Sequence, residues 1–340
     1  MKDQNQFQAE ANAFLDRLFQ ILKENKVDLG HDEIDHLCYR TNSLDHYQSI
    51  CQQMTNFSQL LIESPVKGRM ISTFKLNTPI EYHGRSIDLV EVPAPKPGKT
   101  TVEGFEHIEV VTSQSFSDLK NKYSYLKMDL GGLEKDFNQE LEIEFQNCAV
   151  KFHHYSLEQV IELEKNQQIA NVLGKSQVLK KLKPYSPLVS GTFPLGLGVE
   201  NSDVDILISS ENFQGSEDVL KSEFSKFENF QIQKTSVLGQ ETWIAGFQVD
   251  QVPFEIFWQK IPSHQQSAHR HLIVEARLLK MFGKDLKKKV LNLKKSGLKT
   301  EPAFAEALGI EGDPYEELLK LHAYSEAELW EHLNHTQLQI

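Results

Sequence analysis

The chain has 340 residues, of which 39% are hydrophobic and 25% charged, and its formal net charge at pH 7 is −12. This length predicts two domains of ordinary size, and the composition is that of a folded rather than a disordered protein. The acidic balance argues against general electrostatic binding to nucleic acid or anionic lipid.

The three cysteines, Cys38, Cys51 and Cys148, are an odd number without CxxC spacing, which indicates reduced thiols. The first residues lack the hydrophobic core of a signal peptide, and no run approaches the ~20 apolar residues that span a bilayer. We therefore expect a soluble, cytoplasmic protein without a membrane partner. The sequence leaves its oligomeric state open.

The first half of the chain repeats one order of elements after an amphipathic helix at residues 3–24. Its first copy is predicted as a strand at 34–40, a helix at 43–56, and strands at 59–63, 70–76 and 86–92. The second copy is predicted as a strand at 106–112, a helix at 115–122, and strands at 125–129, 140–146 and 148–155. Each copy therefore reads βαβββ, and the repeat rests on this order and on a histidine in each first strand.

Those two histidines, His36 and His107, are candidate metal ligands together with Glu91 in the fourth strand of the first copy. A single strand histidine is usually structural, but two at equivalent positions favour a metal site. Two imidazoles and one carboxylate with open coordination positions suit Fe²⁺, Mn²⁺, Zn²⁺ or Ni²⁺. For a fourth ligand, His153 matches Glu91 by position, and the adjacent strand offers Glu142 or Glu144.

Three strings in this half resemble the YecM-like branch of the vicinal-oxygen-chelate superfamily, the fold of glyoxalases and extradiol dioxygenases. They are IDHLCYR at 34–40, DLVEVPAPKPG at 88–98 and EHIEV at 106–110. The resemblance implies paired βαβββ modules, with His36, Glu91 and His107 as the metal ligands. The superfamily's usual fourth ligand, a glutamate on the last strand, is not obvious here, because that strand reads VKFHH.

The second half begins beyond a predicted seam at residues 166–168, so we expect domains at 1–166 and 169–340. A buried strand at 188–191, a glycine-rich loop and strands at 204–209 and 254–257 precede a helical remainder. This order predicts a small α/β core with a helical tail. The chain as a whole is therefore expected to be an α+β protein of two domains.

The second half also carries a set of acidic residues. Asp203 and Asp205 stand two apart at the start of a strand, so both carboxylates point to one side and offer hard oxygen ligands for Mg²⁺. Glu255 lies inside an apolar strand, where an unpaired carboxylate is costly, which favours a metal or general-base role. Gly191 allows phosphates to approach the backbone, and Thr192 supplies a donor. An isolated Asp-x-Asp motif is weak evidence for a metal site, but its combination with the Gly-Thr pair and the later glutamate favours a functional site.

This arrangement resembles the polymerase-beta-type nucleotidyltransferase superfamily. The resemblance implies that Gly191 and Thr192 form the phosphate-binding turn, that Asp203 and Asp205 hold Mg²⁺, and that Glu255 is the third acid. The chain departs from the pattern at Thr192, where serine is commoner, and in the loop at 193–198. The strings GTFPLG, SDVDI and LKTEPAFA further resemble a bacterial nucleotidyltransferase-like family of unknown function.

A helix predicted from residue 264 to 282 places His264, His271 and Glu275 close to one face. They would bind phosphate or an acceptor, or His271 and Glu275 would form a pair on the helix surface, which is the favoured interpretation.

Three functions are compatible with the sequence. The first is Mg²⁺-dependent transfer of a nucleotidyl group from an NTP to a small-molecule or protein acceptor, coupled to the N-terminal metal domain. The second is a vicinal-oxygen-chelate metalloenzyme, an isomerase, lyase or dioxygenase, with an inert C-terminal domain. The third is a protein that binds small ligands without catalysis.

Overall fold

The computed structural model describes residues 3–30, 32–96, 98 and 101–334. The chain divides into two compact units, Met1–Leu157 and Glu158–Ile340. The seam expected at residues 166–168 falls between two helices of the second unit, where Asn166 accepts a hydrogen bond from the amide of Ile169 (3.2 Å). All three cysteines are free.

The N-terminal unit begins with helix α1 (Gln4–Glu24), which Asp3 caps by accepting a hydrogen bond from the amide of Gln6 (2.8 Å). The first module consists of β1 (Glu33–Arg40), α2 (Leu44–Met54), β2 (Ser58–Val66), β3 (Arg69–Tyr82) and β4 (Arg85–Pro93). The second consists of β5 (Gly104–Val111), α3 (Phe116–Lys122), β6 (Met128–Asp129), β7 (Leu141–Glu144) and β8 (Ala149–His153). The predicted βαβββ repeat is confirmed.

The two modules share one eight-stranded sheet, ordered β2-β3-β4-β1-β5-β8-β7-β6. In each module the first strand runs parallel to the last, β1 to β4 and β5 to β8. The modules meet where β1 and β5 pair in antiparallel orientation. The strand order of one module is therefore reversed in the other, as a pseudo-twofold axis between β1 and β5 requires.

The register of this sheet separates an apolar face from a charged one. Leu37 pairs with Val90 and Ile108, and this apolar row joins the core, which also includes residues of α1 and α2. The neighbouring rows point to the opposite face, because side chains alternate along a strand. Those rows carry His36, Cys38, Glu91, His107, Glu109 and Lys151.

The second unit contains a five-stranded sheet, ordered β11-β12-β13-β10-β9, with helices around it. Its strands are β9 (Leu188–Ser190), β10 (Val204–Ser209), β11 (Glu228–Val237), β12 (Gln240–Val249) and β13 (Val252–Gln259). Its helices are α4 (Leu157–Lys165), α5 (Gln167–Ser176), α6 (Val178–Lys181), α7 (Ser216–Phe224), α8 (Ser267–Lys295), α9 (Thr300–Leu308), α10 (Pro314–Leu321) and α11 (Glu326–Asn334). The mixed α+β class with two domains is confirmed.

Helix α8 is interrupted at Gly283, whose φ of 64° and ψ of −148° are not helical. Glu275 and Lys294 lie on opposite sides of this interruption and influence each other's pKa electrostatically. A continuous helix would hold residues 19 positions apart at roughly 28 Å, beyond effective contact. The non-helical backbone at Gly283 therefore interrupts α8 between Glu275 and Lys294.

The expected surface pair of His271 and Glu275 is wrong, because both side chains are buried, at 3% and 2% exposure. His271 Nε2 bonds to the carbonyl of Tyr315 (2.8 Å), so this histidine connects α8 to α10. Over the described part of the chain, no helix combines the length and apolarity needed to cross a membrane.

Candidate metal and nucleotide sites

In the second unit, the parallel pairing of β10 with β13 places Asp205 opposite Glu255. Asp203 precedes β10 by one residue and shares the side of Asp205. Burial, followed by the charges of Asp203 and Glu255, raises the pKa of Asp205 to about 8. Burial and then Asp203 also raise the pKa of Glu255. The three acids predicted from the sequence thus lie within electrostatic range of one another.

Gly191 follows β9, whose last residue, Ser190, pairs with Asp205. A Cβ atom on Gly191 would lie 2.0 Å from Asp205 Oδ2, and the φ of Gly191 is +70°, a value that favours glycine. Glycine is therefore required here for two separate reasons, its backbone conformation and the close approach of the Asp205 carboxylate.

Thr192, the second residue of the predicted phosphate-binding turn, is 8% exposed. Its hydroxyl is buried and has no hydrogen-bond partner among the described residues. A buried hydroxyl without a partner is costly, so this group is suited to donate to a ligand oxygen.

Two charged residues of this site were missed from the sequence. Lys299 is exposed and occupies the N-cap position of α9 without a capping side-chain hydrogen bond, and its charge opposes the raised pKa of both Asp205 and Glu255. Glu301 lies 3.4 Å from His271 Nδ1, and its charge also acts on Asp205. Both belong to the string LKTEPAFA, whose family resemblance is the only signal that the sequence offers for them.

In the N-terminal unit, the charged face of the sheet gathers histidines and carboxylates. His36 Nδ1 lies 2.7 Å from Asp35 Oδ2, and this oxygen also accepts a hydrogen bond from the amide of Leu157 (2.8 Å). The second nitrogen of His36, Nε2, lies 3.9 Å from Glu91 Oε2. The predicted neighbours His36 and Glu91 are therefore brought together.

Glu109 is the centre of this cluster, and the sequence interpretation missed it. Lys151 Nζ donates to its Oε1 (3.0 Å), and His107 Nε2 lies 3.2 Å from the same oxygen. Its Oε2 lies 3.6 Å from His36 Nε2 and in close contact with His153 Nε2. Glu109 stands two residues after His107 in β5, so strand alternation was the available signal.

His107 is grouped differently from His36 and Glu91. Possible ligand atoms of His36, Glu91 and Glu109 all lie within 4.8 Å of one another, which defines one group among the described residues. His107 forms a second group with Cys38 and Glu106. Its Nδ1 lies 2.9 Å from Glu106 Oε2.

The predicted positional match of His153 to Glu91 is wrong. Cys38 pairs with Glu91 across β1 and β4, and Glu109 pairs with Lys151 across β5 and β8. His36 and His107 occupy equivalent positions in the two modules, so Cys38 and Glu109, each two residues later, are equivalent as well. Their strand partners, Glu91 and Lys151, are then also equivalent. His153 lies two residues after Lys151 in β8. The second module therefore places an ammonium where the first places a carboxylate.

The charges of this cluster compensate one another. Burial alone would lower the pKa of His36, but Glu109 and Asp35 raise it well above its usual value. Burial would raise the pKa of Glu109, but Lys151 and His153 hold it well below its usual range. A cation that binds His36 therefore displaces a proton, as metal binding to histidine generally does.

The paired βαβββ modules that share one sheet have the element order and topology expected for the vicinal-oxygen-chelate fold. Residues 3–146 match the family model described as YecM protein. Residues 171–321 match the model described as a domain of unknown function, DUF4269.

Two relatives each match somewhat less than half of the chain. A Haemophilus influenzae protein described as uncharacterized is 27% identical over 179 residues, which cover 47% of this chain and 94% of the relative. Protein YecM of Escherichia coli K12 is 27% identical over 167 residues, which cover 45% of this chain and 87% of the relative.

Three solved structures show weaker similarity. The structural-genomics protein EC4020 has a TM-score of 0.41 and 21% identity, over 47% of this chain and 92% of its own. A methylmalonyl-CoA epimerase of Streptomyces coelicolor has a TM-score of 0.27 and 13% identity, over 36% of this chain and 92% of its own. The Cid1 poly(U) polymerase has a TM-score of 0.31 and 15% identity, over 46% of this chain and 48% of its own.

Proposed function

We propose that the second unit transfers a nucleotidyl group from an NTP to a small-molecule or protein acceptor, with Mg²⁺ as cofactor. The observation that carries this proposal is the convergence of Asp203, Asp205 and Glu255 beside Gly191, where a Cβ atom would collide with the Asp205 carboxylate. If Gly191 served only to form a turn, the Asp205 carboxylate would not need to lie so close to it.

The residues fit a divalent cation of the magnesium type. Burial and neighbouring carboxylates raise the pKa of both Asp205 and Glu255, and a bound cation would relieve the repulsion between the charged forms. Their hard oxygen atoms are the ligands that Mg²⁺ prefers. When bound, the ion would supply charge neutralisation and orientation for the phosphates of the donor.

The protein groups would have distinct roles. Asp203 and Asp205 would hold the metal, and Glu255 would complete the site or take the proton from the acceptor hydroxyl. The turn at Gly191 admits the phosphates to the backbone, and the unpartnered hydroxyl of Thr192 would donate to a phosphate oxygen.

The test is pyrophosphate release from labelled NTPs in the presence of Mg²⁺ and a panel of acceptors. We expect release with the full chain and its loss in the double variant Asp203→Ala, Asp205→Ala. Asp218→Ala, which removes an acidic residue in the first turn of α7, is the matched control and should retain release. No release with any NTP across a broad panel would count against nucleotidyl transfer.

A second candidate function is carried by the N-terminal cluster. His36 Nε2 is buried and has no hydrogen-bond partner among the described residues, which suits a metal ligand. A divalent transition metal such as Fe²⁺, Mn²⁺, Zn²⁺ or Ni²⁺, bound near His36, Glu91 and His107, would support isomerase, lyase or dioxygenase chemistry. Elemental analysis of the purified chain tests this candidate. Tight binding of a ligand without turnover would instead indicate a binding protein.

A further inference from the structure

The two carboxylate oxygens of Glu109 have different surroundings. Oε1 is held by Lys151 Nζ at 3.0 Å and lies 3.2 Å from His107 Nε2. Oε2 is turned to the other side, toward His36 Nε2 at 3.6 Å and His153 Nε2. The partly buried ammonium of Lys151 therefore holds one oxygen, and the other oxygen faces His36 and His153.

The separations at the Nε2 atom of His36 are too long for hydrogen bonds. Its Nε2 lies 3.6 Å from Glu109 Oε2 and 3.9 Å from Glu91 Oε2. Consider two ligand atoms that each lie about 2.1 Å from one metal ion. If the ligand–metal–ligand angle is between the square-planar and the tetrahedral value, the two atoms lie about 3.0–3.5 Å apart. A small contraction of these three side chains would therefore suit a shared ion.

His107 is engaged elsewhere. Its Nδ1 lies 2.9 Å from Glu106 Oε2 and its Nε2 lies 3.2 Å from Glu109 Oε1, so the imidazole bridges two carboxylates. Glu106 is in turn anchored by Arg40 Nε at 2.5 Å. Rotating His107 toward an ion near His36 would break both of its contacts.

We propose that the metal of the N-terminal unit is bound by His36, Glu91 and Glu109, one ligand from each of the adjacent strands β1, β4 and β5. His107 and Lys151 are positioning residues, which hold Glu109 and do not contact the ion. This inference rests on the second candidate function, a metal centre in this unit, and it is independent of nucleotidyl transfer.

In this ligand set Glu109 takes the place of His107, which the family resemblance implies as a metal ligand. One imidazole and two carboxylates form a harder donor set than two imidazoles and one carboxylate. Such a set suits Mn²⁺ and Fe²⁺, and it leaves coordination positions open for water or substrate.

The first experiment counts imidazole nitrogens on the ion. The full chain is stripped with a chelator and loaded with one equivalent of Mn²⁺, and electron spin-echo envelope modulation reports the nitrogen atoms coupled to the metal. We expect one coordinated imidazole. Two coordinated imidazoles would overturn the proposed ligand set, and this measurement on the unaltered protein does not depend on any variant folding.

The second experiment compares affinities for Mn²⁺ by isothermal titration. Glu109→Gln should weaken binding by more than 100-fold, because it removes a ligand. His107→Gln should weaken it about tenfold, as expected when a group that only orients a ligand is altered. His154→Gln is the matched control, since this buried histidine bonds to the Thr112 carbonyl, and it should bind normally.

The outcomes separate this inference from the function on which it rests. If His107→Gln abolishes binding while Glu109→Gln stays within tenfold of the wild type, the ligand set is wrong but the metal centre stands. If the unaltered chain binds none of Mn²⁺, Fe²⁺, Zn²⁺ and Ni²⁺, the metal centre itself is refuted.

Discussion

Replacing Gly191 by alanine tests how the acidic site is built. The new Cβ atom would lie 2.0 Å from Asp205 Oδ2, about 1 Å inside the closest approach that carbon and oxygen atoms normally make. Because β9 and β10 are paired with each other, the backbone is held in place and the Asp205 carboxylate must move. A left-handed alanine costs about 1–2 kcal/mol of stability, and a displacement of about 1 Å at a catalytic group lowers activity about 100-fold.

Gly215→Ala is the control, since Gly215 has a comparable φ of +85°, but no described atom lies within 4 Å of the position that its new methyl group would take. We expect both variants to lose similar stability in thermal unfolding. Only Gly191→Ala should also lose Mg²⁺-dependent NTP binding and pyrophosphate release. Equal binding and release in the two variants would refute the claim that this glycine makes room for Asp205.

Three further predictions concern charge, backbone conformation and pH. Lys299→Met should weaken NTP binding about tenfold in equilibrium titrations, the effect of losing about 1.4 kcal/mol, while the exposed control Lys295→Met should not. Gly283→Ala should lower the free energy of unfolding by about 1–3 kcal/mol, because the φ and ψ of Gly283 are unfavourable for alanine. Gly174→Ala, inside α5, should raise the free energy of unfolding by about 0.5–1 kcal/mol. Urea titrations of the two variants measure the direction of each change. Burial and neighbouring arginines lower the pKa of His322 to about 4, so the unfolded chain binds the extra proton and stability should fall as pH drops from about 6.5 to 4. His322→Gln should remove about 1 kcal/mol of that loss, after allowance for solvent screening, and an unchanged pH profile would contradict the assignment.

The repeated modules could be predicted because their evidence is local. Alternation and element order along the chain indicated both βαβββ units and the histidine of each first strand. The sequence could not reveal the register between strands, which depends on turns and loop lengths. Position along the strand predicts His153 as the equivalent of Glu91, whereas the pairing of β5 with β8 assigns that place to Lys151.

Glu109 was overlooked for a related reason. The repeat draws attention to histidines at equivalent positions, whereas Glu109 corresponds to Cys38, which has no carboxylate. Only the pairing of β1 with β5 shows that His36 lies opposite Glu109 rather than opposite His107. The equivalence of two positions in a repeat does not by itself bring them into contact.

In the second unit, the acidic residues could be predicted because their spacing and strand context are local. Lys299 lies far along the chain from Asp205, and its approach depends on how α9 packs on α8. A pattern in the sequence does not encode that packing. It does mark the segment, since the string LKTEPAFA carries a family resemblance even where its chemistry is not evident.

The separation of the N-terminal sheet into an apolar and a charged face constrains how its strands can change in length. An insertion or deletion of one residue within β1 would turn Leu37 outward and bury His36 and Cys38 against the helices. A change of two residues would keep each side chain on its face but shift it by about 6.8 Å along the strand. Length variation is therefore expected in the terminal residues of these strands and in the loops. The segments that carry His36 and Glu109 should keep a fixed number of residues.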